Sequence, residues 1–262
     1  DTVEIEENEQ EETEHILSEE YQKIVRPLVN AFKNDNRDAI AELIGYPLRR
    51  YYPLPNVRNK AELLERFDEI FSEKIVTEII NSDIEKDWDD VGWRGIMLSQ
   101  GSLWMDYSGF LISVEYSKRE EKIREKVIEA ERETLHPSIR NFKKPEKILI
   151  TDKFKIRIDI EKIDSDGGYI YRYASWEAHQ DMSEKPDLII SNGEITLDGS
   201  GGNHYYTFVN GDYKYQCSIN ILGESDTPPA DLTVYKREER IVYQRADILE
   251  LKLYRKLYNK LK

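Results

Sequence analysis

The stretch DWDDVGWRGIMLSQGSLWMDYSGFLISVEY, Asp87 to Tyr116, decides how the first half of this chain is read. Upstream of it apolar residues recur at intervals of three and four; within it the period falls to two, the mark of half-buried strands. A two-residue turn at Gln100-Gly101 pairs Leu98 with Leu103, Ile96 with Met105 and Arg94 with Tyr107 on one face, and leaves Trp93, Met97 and Trp104 on the other. Gly109 opens a further strand through Tyr116. Both faces are substantially apolar, so the stretch predicts a curved sheet packed by helices on one side and covered on the other.

The upstream pattern is helical. Tyr21, Ile24, Val25, Leu28, Val29 and Phe32 mark one buried helix face. The Asn34–Asn36 run interrupts it and caps a short second helix that ends at Gly45. The three prolines of YPLRRYYPLP, residues 46–55, permit an edge strand or an extended segment but not a helix. Asn59 with Glu62 reads as a capping box that opens one long helix carrying Leu63, Leu64, Phe67, Ile70, Phe71, Ile75, Val76 and Ile79.

Downstream, residues 118–135 alternate charges around sparse apolar positions at Ile123, Val127 and Ala130, which predicts an exposed linking helix ended by His136-Pro137. From Lys147 to Gln244 short alternating runs are punctuated by turn sequences, so this region reads as seven or eight strands of a small barrel or sandwich. Asn192-Gly193 and Asn210-Gly211 both carry the signature of a type I′ hairpin turn, and the second places Tyr206, Phe208, Tyr213, Tyr215 and Cys217 on one face. The tail after Ala246 reads as a basic helix. The expected architecture is therefore α+β: an acidic disordered arm (1–19), a helix-on-curved-sheet domain (20–117), a linking helix (118–146), an all-β barrel or sandwich (147–245) and a C-terminal helix (246–262).

Composition narrows the function classes. The chain has 262 residues, enough for two domains, and its 17 Tyr, 7 Phe and 4 Trp exclude a wholly disordered chain. Residues 1–20 hold ten Asp or Glu and no Lys or Arg, so of the net charge of −14 only −4 remains on the rest. Such a body lacks the basic stripe that phosphate neutralisation needs, and nucleic acid is not an expected partner. The single cysteine, Cys217, excludes an internal disulfide and a multi-cysteine zinc site. His15, His136, His179 and His204 are scattered, so neither a metal nor a cofactor is expected. No apolar run is long enough for a transmembrane helix.

Two helices, an extended segment, a long helix and consecutive strands, together with LVNAFKNDNRDAIAELIGYPL (Leu28–Leu48) and DVGWRGIMLSQGSLWMD (Asp90–Asp106), resemble the cystatin-like cone domains of the nuclear transport factor 2-like superfamily. The resemblance is to such domains in exported bacterial proteins of unknown function, where a β-rich domain stands beside the cone. It covers under half the chain. It implies a conical cavity that serves binding, isomerase or dehydratase chemistry, or dimerisation in different members, so the fold alone does not select a function. Export to the periplasm or cell surface is expected with it, since an acidic arm that begins at Asp1 is also how a mature exported chain starts behind a removed leader or a lipid anchor.

No histidine lies between Glu20 and Tyr116, which removes a histidine-dependent dehydratase site from this region. An isomerase-like site would need an Asp beside Tyr donors, yet Asp106 and Tyr107 are neighbours and in a strand point to opposite faces. The aspartates Asp83, Asp87, Asp89 and Asp90, and the run Asp164–Gly168, read as capped turns rather than calcium loops. The candidate ligand-binding residues are Arg94, as an anchor for a carboxylate, with Trp88, Trp93, Trp104 and Tyr107 as an aromatic platform for a sugar or peptide. The more ordinary reading, which the sequence favours, makes Arg94 the partner of an acidic side chain such as Glu69 or Glu73 at the core edge and the tryptophans core or interdomain filler. The expected function is noncatalytic binding or scaffolding at the bacterial envelope, with a small molecule, glycan or envelope protein as partner. The alternatives are a cone-cavity enzyme and a homodimerisation module.

Overall fold

The computed structural model describes residues 16–199 and 201–250. The chain divides into two compact units. One comprises residues up to Arg49 and Asn56–Glu121; the other comprises Arg50–Pro55 and everything from Lys122 onward. The division therefore falls inside the expected linking helix, and a short excursion from the first half belongs with the second unit. The proposed acidic arm, up to residue 15, and the tail from residue 251 lie outside the described residues.

The first unit begins with α1 (Glu19–Lys33), whose Ser18 side chain accepts from the Tyr21 amide and whose Val25, Leu28, Val29 and Phe32 are buried. Order starts before it, since Leu17 is itself in the core. Asn36 caps α2 (Arg37–Glu42), as the spacing predicts, with its side chain 3.0 Å from the Ala39 amide. The expected long helix is instead three: α3 (Lys60–Glu65), α4 (Phe67–Ile70) and α5 (Glu73–Asn81). Asn59 caps α3 and Ser72 caps α5 afresh. Between them Arg66 leaves helical geometry and turns its guanidinium onto Glu69 at 2.8 Å, where both side chains are buried. Periodicity carries across all three segments because each turns the same side to one core, so the breaks do not show in the apolar pattern.

An antiparallel meander follows: β1 (Trp88–Asp90), β2 (Ile96–Leu98), β3 (Leu103–Met105) and β4 (Leu111–Val114). Ile96 faces Met105 and Leu98 faces Leu103, the register read from the sequence, and these four side chains join the helices in one core. The pairing does not extend to Arg94 and Tyr107. Gly92–Arg94 forms a 3-10 turn instead, and Tyr107 lies beyond the end of β3.

Next comes α6 (Lys118–Thr134). It is not the exposed linker its charges predict: Ile123, Val127, Ile128 and Glu131 are all buried. Eight strands then run consecutively and close into an antiparallel barrel: β5 (Lys144–Ile150), β6 (Phe154–Ile163), β7 (Tyr169–Glu177), β8 (Leu188–Asp198), β9 (Asn203–Asn210), β10 (Tyr213–Ile219), β11 (Ala230–Lys236) and β12 (Glu239–Ile248). Residues 246–248, expected to begin a helix, close the barrel by pairing Asp247 and Ile248 with Ile150 and Leu149. The fold is thus α+β, with a helical N-terminal region on a small sheet and a closed eight-stranded barrel in place of the barrel-or-sandwich choice.

Ile156, Ile158, Tyr171, Tyr173, Tyr206, Phe208, Cys217 and Leu232 fill the barrel interior. The hairpin after β9 turns at Gly211-Asp212, one residue later than its signature predicts, which preserves the shared face of Tyr206, Phe208, Tyr215 and Cys217. Asn192-Gly193 is not a hairpin turn. It lies inside β8 as a bulge opposite β7, with Asn192 at φ 62°. The glycine is required there because a Cβ would sit 2.2 Å from the Phe208 ring.

Candidate functional site

Among the residues singled out from the sequence, the structure gathers Trp93, Arg94 and Tyr107 at one surface turn. Gly92 enters the turn at φ 60° and Gly95 leaves it at φ 103°, and a Cβ on Gly95 would meet the Met105 carbonyl oxygen at 2.2 Å. The turn is closed at both ends: the Val91 amide donates to the Gly95 carbonyl and the Gly95 amide to the Gly92 carbonyl, each at 2.9 Å. Trp93 stands out from it with 71% of its surface exposed. Arg94 is exposed beside it and makes no ion pair with Glu69 or Glu73. The expected apolar company of Arg94 is absent because the strand pairing stops at Ile96.

Tyr107 clamps the turn from the next loop. Asp106 organises that loop by accepting the Ser108 and Phe110 amides, both at 2.9 Å. The Tyr107 hydroxyl then reaches the Gly92 carbonyl oxygen at 2.6 Å and makes a short bond to the Asp90 carboxylate. Its ring packs against Tyr21 of α1, with centroids 5.2 Å apart. The bond to Asp90 stabilises the neutral phenol and, with some burial and the Asp90 charge, pushes the Tyr107 pKa up to about 12. The result is an indole and a guanidinium presented to solvent on a preorganised backbone.

The other two tryptophans go elsewhere. Trp88 is fully buried and donates its indole N–H to the Ser82 hydroxyl at 3.1 Å, so it is core. Trp104 is half-buried across the sheet from Met97, with its indole edge against Gly101. Beside that hairpin loop runs a groove of about 530 Å³ between Lys74 and Glu78 of α5 and residues 99–102. Lys74 is paired with Glu115 there at 2.7 Å, and the Ser102 hydroxyl with Glu78 at 3.0 Å. A second groove, of about 550 Å³, lies on the barrel at the β5–β12 seam and is lined by Asp152, Asp226, Arg245 and Asp247.

The aspartate-rich turns cap backbone, as read: Asp87 accepts the Asp83 amide, Asp90 the Gly92 amide, and Asp164 the amides of Asp166 and Gly168. Among the described residues no group of three or more His, Cys, Asp and Glu side chains is placed to hold a metal. No described helix is long and apolar enough to cross a membrane.

What sequence reasoning missed is a buried charge network on the outer face of β6 and β7. Arg157 and Asp159 alternate with the interior residues Ile156, Ile158 and Ile160, so the period of two assigns them to solvent. Instead Glu131 of α6 pairs with Arg157, which also meets Asp159 at 2.8 Å, and Arg172 of β7 meets Asp159 at 2.7 Å. Tyr52, from the Arg50–Pro55 excursion, donates to Glu131 at 2.5 Å. Burial opposes charge on Arg157, but Asp159 and Glu131 outweigh it and hold its pKa above the ordinary value. Burial likewise raises the Tyr52 pKa, reinforced by the Glu131 charge. Two cations balance two anions, and Ile128, Leu135, Ile139, Phe142 and Trp176 pack a small apolar cluster on the same face. The charges and this cluster together form a buried structural layer on the outer face of β6 and β7. No known protein family, no curated protein and no solved structure matches this chain.

Proposed function

We propose that this chain is a noncatalytic exported bacterial binding or scaffold protein of the cell envelope, and that the Gly92–Gly95 turn is where it meets its ligand. The observation that carries this reading is the pairing of a solvent-exposed Trp93 with an exposed Arg94 on a backbone clamped by Tyr107. An indole face stacks on a sugar or other flat ring, and a guanidinium donates two parallel hydrogen bonds to a carboxylate. A ligand that satisfies both is an acidic glycan. Placement at the envelope and the cone-type identity of the first unit rest on the sequence resemblance. Helices followed by an antiparallel meander support that resemblance, while the break of the third helix into α3, α4 and α5 departs from it.

The enzymatic alternative asks for an Asp beside a Tyr donor, and Asp90 and Tyr107 do meet. They bond to each other at the surface, however, so neither is available to a substrate in an enclosed pocket. The test is a tryptophan-fluorescence titration with oligogalacturonate and with a neutral oligosaccharide of the same length. Saturable binding of the acidic ligand, lost in Trp93→Ala and at least about tenfold weaker in Arg94→Ala, is the expected result. Identical titrations for the native chain and both variants would sink the proposal.

A further inference from the structure

A separate pocket of about 270 Å³ opens where the end of α1 and the start of α2 face α4 and α5. Its floor is made of three phenylalanine rings. Phe32 meets Phe71 edge-on at 5.1 Å, and Phe67 meets Phe71 at 4.9 Å. Asp35, Asp68 and Glu73 stand around its rim. The guanidinium of Arg37 sits 4.4 Å from the Phe67 ring centroid, 2.8 Å from Asp68 and 3.9 Å from Asp35. The same seat thus holds a cation over an aromatic face with carboxylates beside it, the chemistry that recognises organic ammonium groups.

We propose that this pocket is a binding seat for an alkylammonium group, with Arg37 as its resident occupant. Charge, volume and the exposure of Arg37 select that ligand. The rim carries three carboxylates against one guanidinium, so removing Arg37 leaves an acidic mouth over an apolar floor, which favours a cation with methyl or methylene groups and disfavours an anion. The volume falls just under the roughly 300 Å³ at which drug-sized pockets begin, which fits a headgroup. And Arg37 is easily displaced: its side chain is 43% exposed and that of Asp68 67%, and an exposed ion pair contributes little to stability, so the guanidinium can swing into water at small cost. None of this depends on the Trp93 turn.

The test titrates the full chain with choline and with its neutral isostere 3,3-dimethylbutan-1-ol at matched ionic strength, read by calorimetry and saturation-transfer NMR. Choline is expected to bind saturably and the alcohol at least about tenfold more weakly, since only the charge differs. Arg37→Ala, which empties the seat, should tighten choline by about tenfold or more. Asp68→Asn in that background should loosen it again. If Arg37→Ala keeps its circular dichroism spectrum yet shows no saturable choline binding, or binds the neutral alcohol equally well, the proposal is overturned. Unchanged affinity on adding Asp68→Asn would overturn it as well, because the ligand would then sit elsewhere.

Discussion

Arg157 and Arg94 lie in the two units under opposite conditions. Arg157 sits on the outer face of a barrel strand, where alternation predicts water, and is completely buried between Asp159 and Glu131. Arg94 was expected on an apolar sheet face and stands in solvent at a turn. Burial without a partner is too costly for a guanidinium, so the buried arginine has a full set of carboxylates and its role is structural. Exposure removes that demand, and Arg94 stands in solvent beside Trp93. A buried charge network therefore says how a region is held together, and the exposed cation beside an exposed indole is the place proposed for binding.

The largest test of this contrast is Glu131→Ala. It leaves Arg157 buried with one carboxylate in place of two and should cost about 3 kcal/mol or more in denaturant unfolding of the barrel unit. A cost under about 1 kcal/mol would mean that α6 is held by Ile128 and Leu135 and that the charges are incidental. Gly193→Ala should follow at about 1–3 kcal/mol, since the new Cβ collides with Phe208 and the bulge must shift. A value near zero would show that the interior of the barrel yields.

Alkali offers a test without mutation. Burial, with the Glu146 charge, pushes the Tyr171 pKa up from 10 to about 12, and burial raises those of Tyr173 and Tyr206 as well. The folded barrel holds these protons more tightly than the unfolded chain does. The contribution of Tyr171 to stability is therefore constant below pH 10 and lost as pH rises from 10 through about 12, and the loss from Tyr173 and Tyr206 continues at higher pH. Phenolate absorbance at 295 nm should rise first for exposed tyrosines and then in a second step together with loss of circular dichroism. A single step completed with the fold intact would contradict the buried assignment.

Tyr107→Phe removes the bond to the Gly92 carbonyl and should cost roughly 0.5–1.5 kcal/mol, with weaker glycan binding through a looser turn. Trp93→Ala should change stability by less than about 0.5 kcal/mol while abolishing binding. A large destabilisation by Trp93→Ala would place that indole in a packing role and return it to the class of Trp88.

Much of the fold is legible residue by residue. The Asn36 and Asn59 caps, the apolar face of α1, and the pairing of Ile96 with Met105 and Leu98 with Leu103 follow from local rules because each depends on residues a few positions apart. The strand count of the second half follows from turn residues. What was not legible was contributed by a distant partner. Asn192-Gly193 has the composition of a hairpin turn, but it lies as a bulge inside β8, where the Phe208 ring of the neighbouring β9 leaves no room for a Cβ on Gly193. The alternating charges of α6 look solvated until β6 presents Arg157 to Glu131. At the candidate site, Trp93, Arg94 and Tyr107 are all visible in the quoted stretch, but the clamp that joins them depends on a hydroxyl that reaches back to Asp90 and Gly92.

Local chemistry alone thus determined an α+β chain with a helical first part and a β-rich second, the caps of α2 and α3, and the stretch that carries the exposed indole. Tertiary structure decided the rest: that eight strands close into a barrel, that one tryptophan is core while another is free, and which charges are sealed in and which meet water. The physical reason is range. Capping, periodicity and turn formation act over a few residues, whereas burial and charge pairing are set by whatever the fold brings alongside, and no short window of sequence contains that partner.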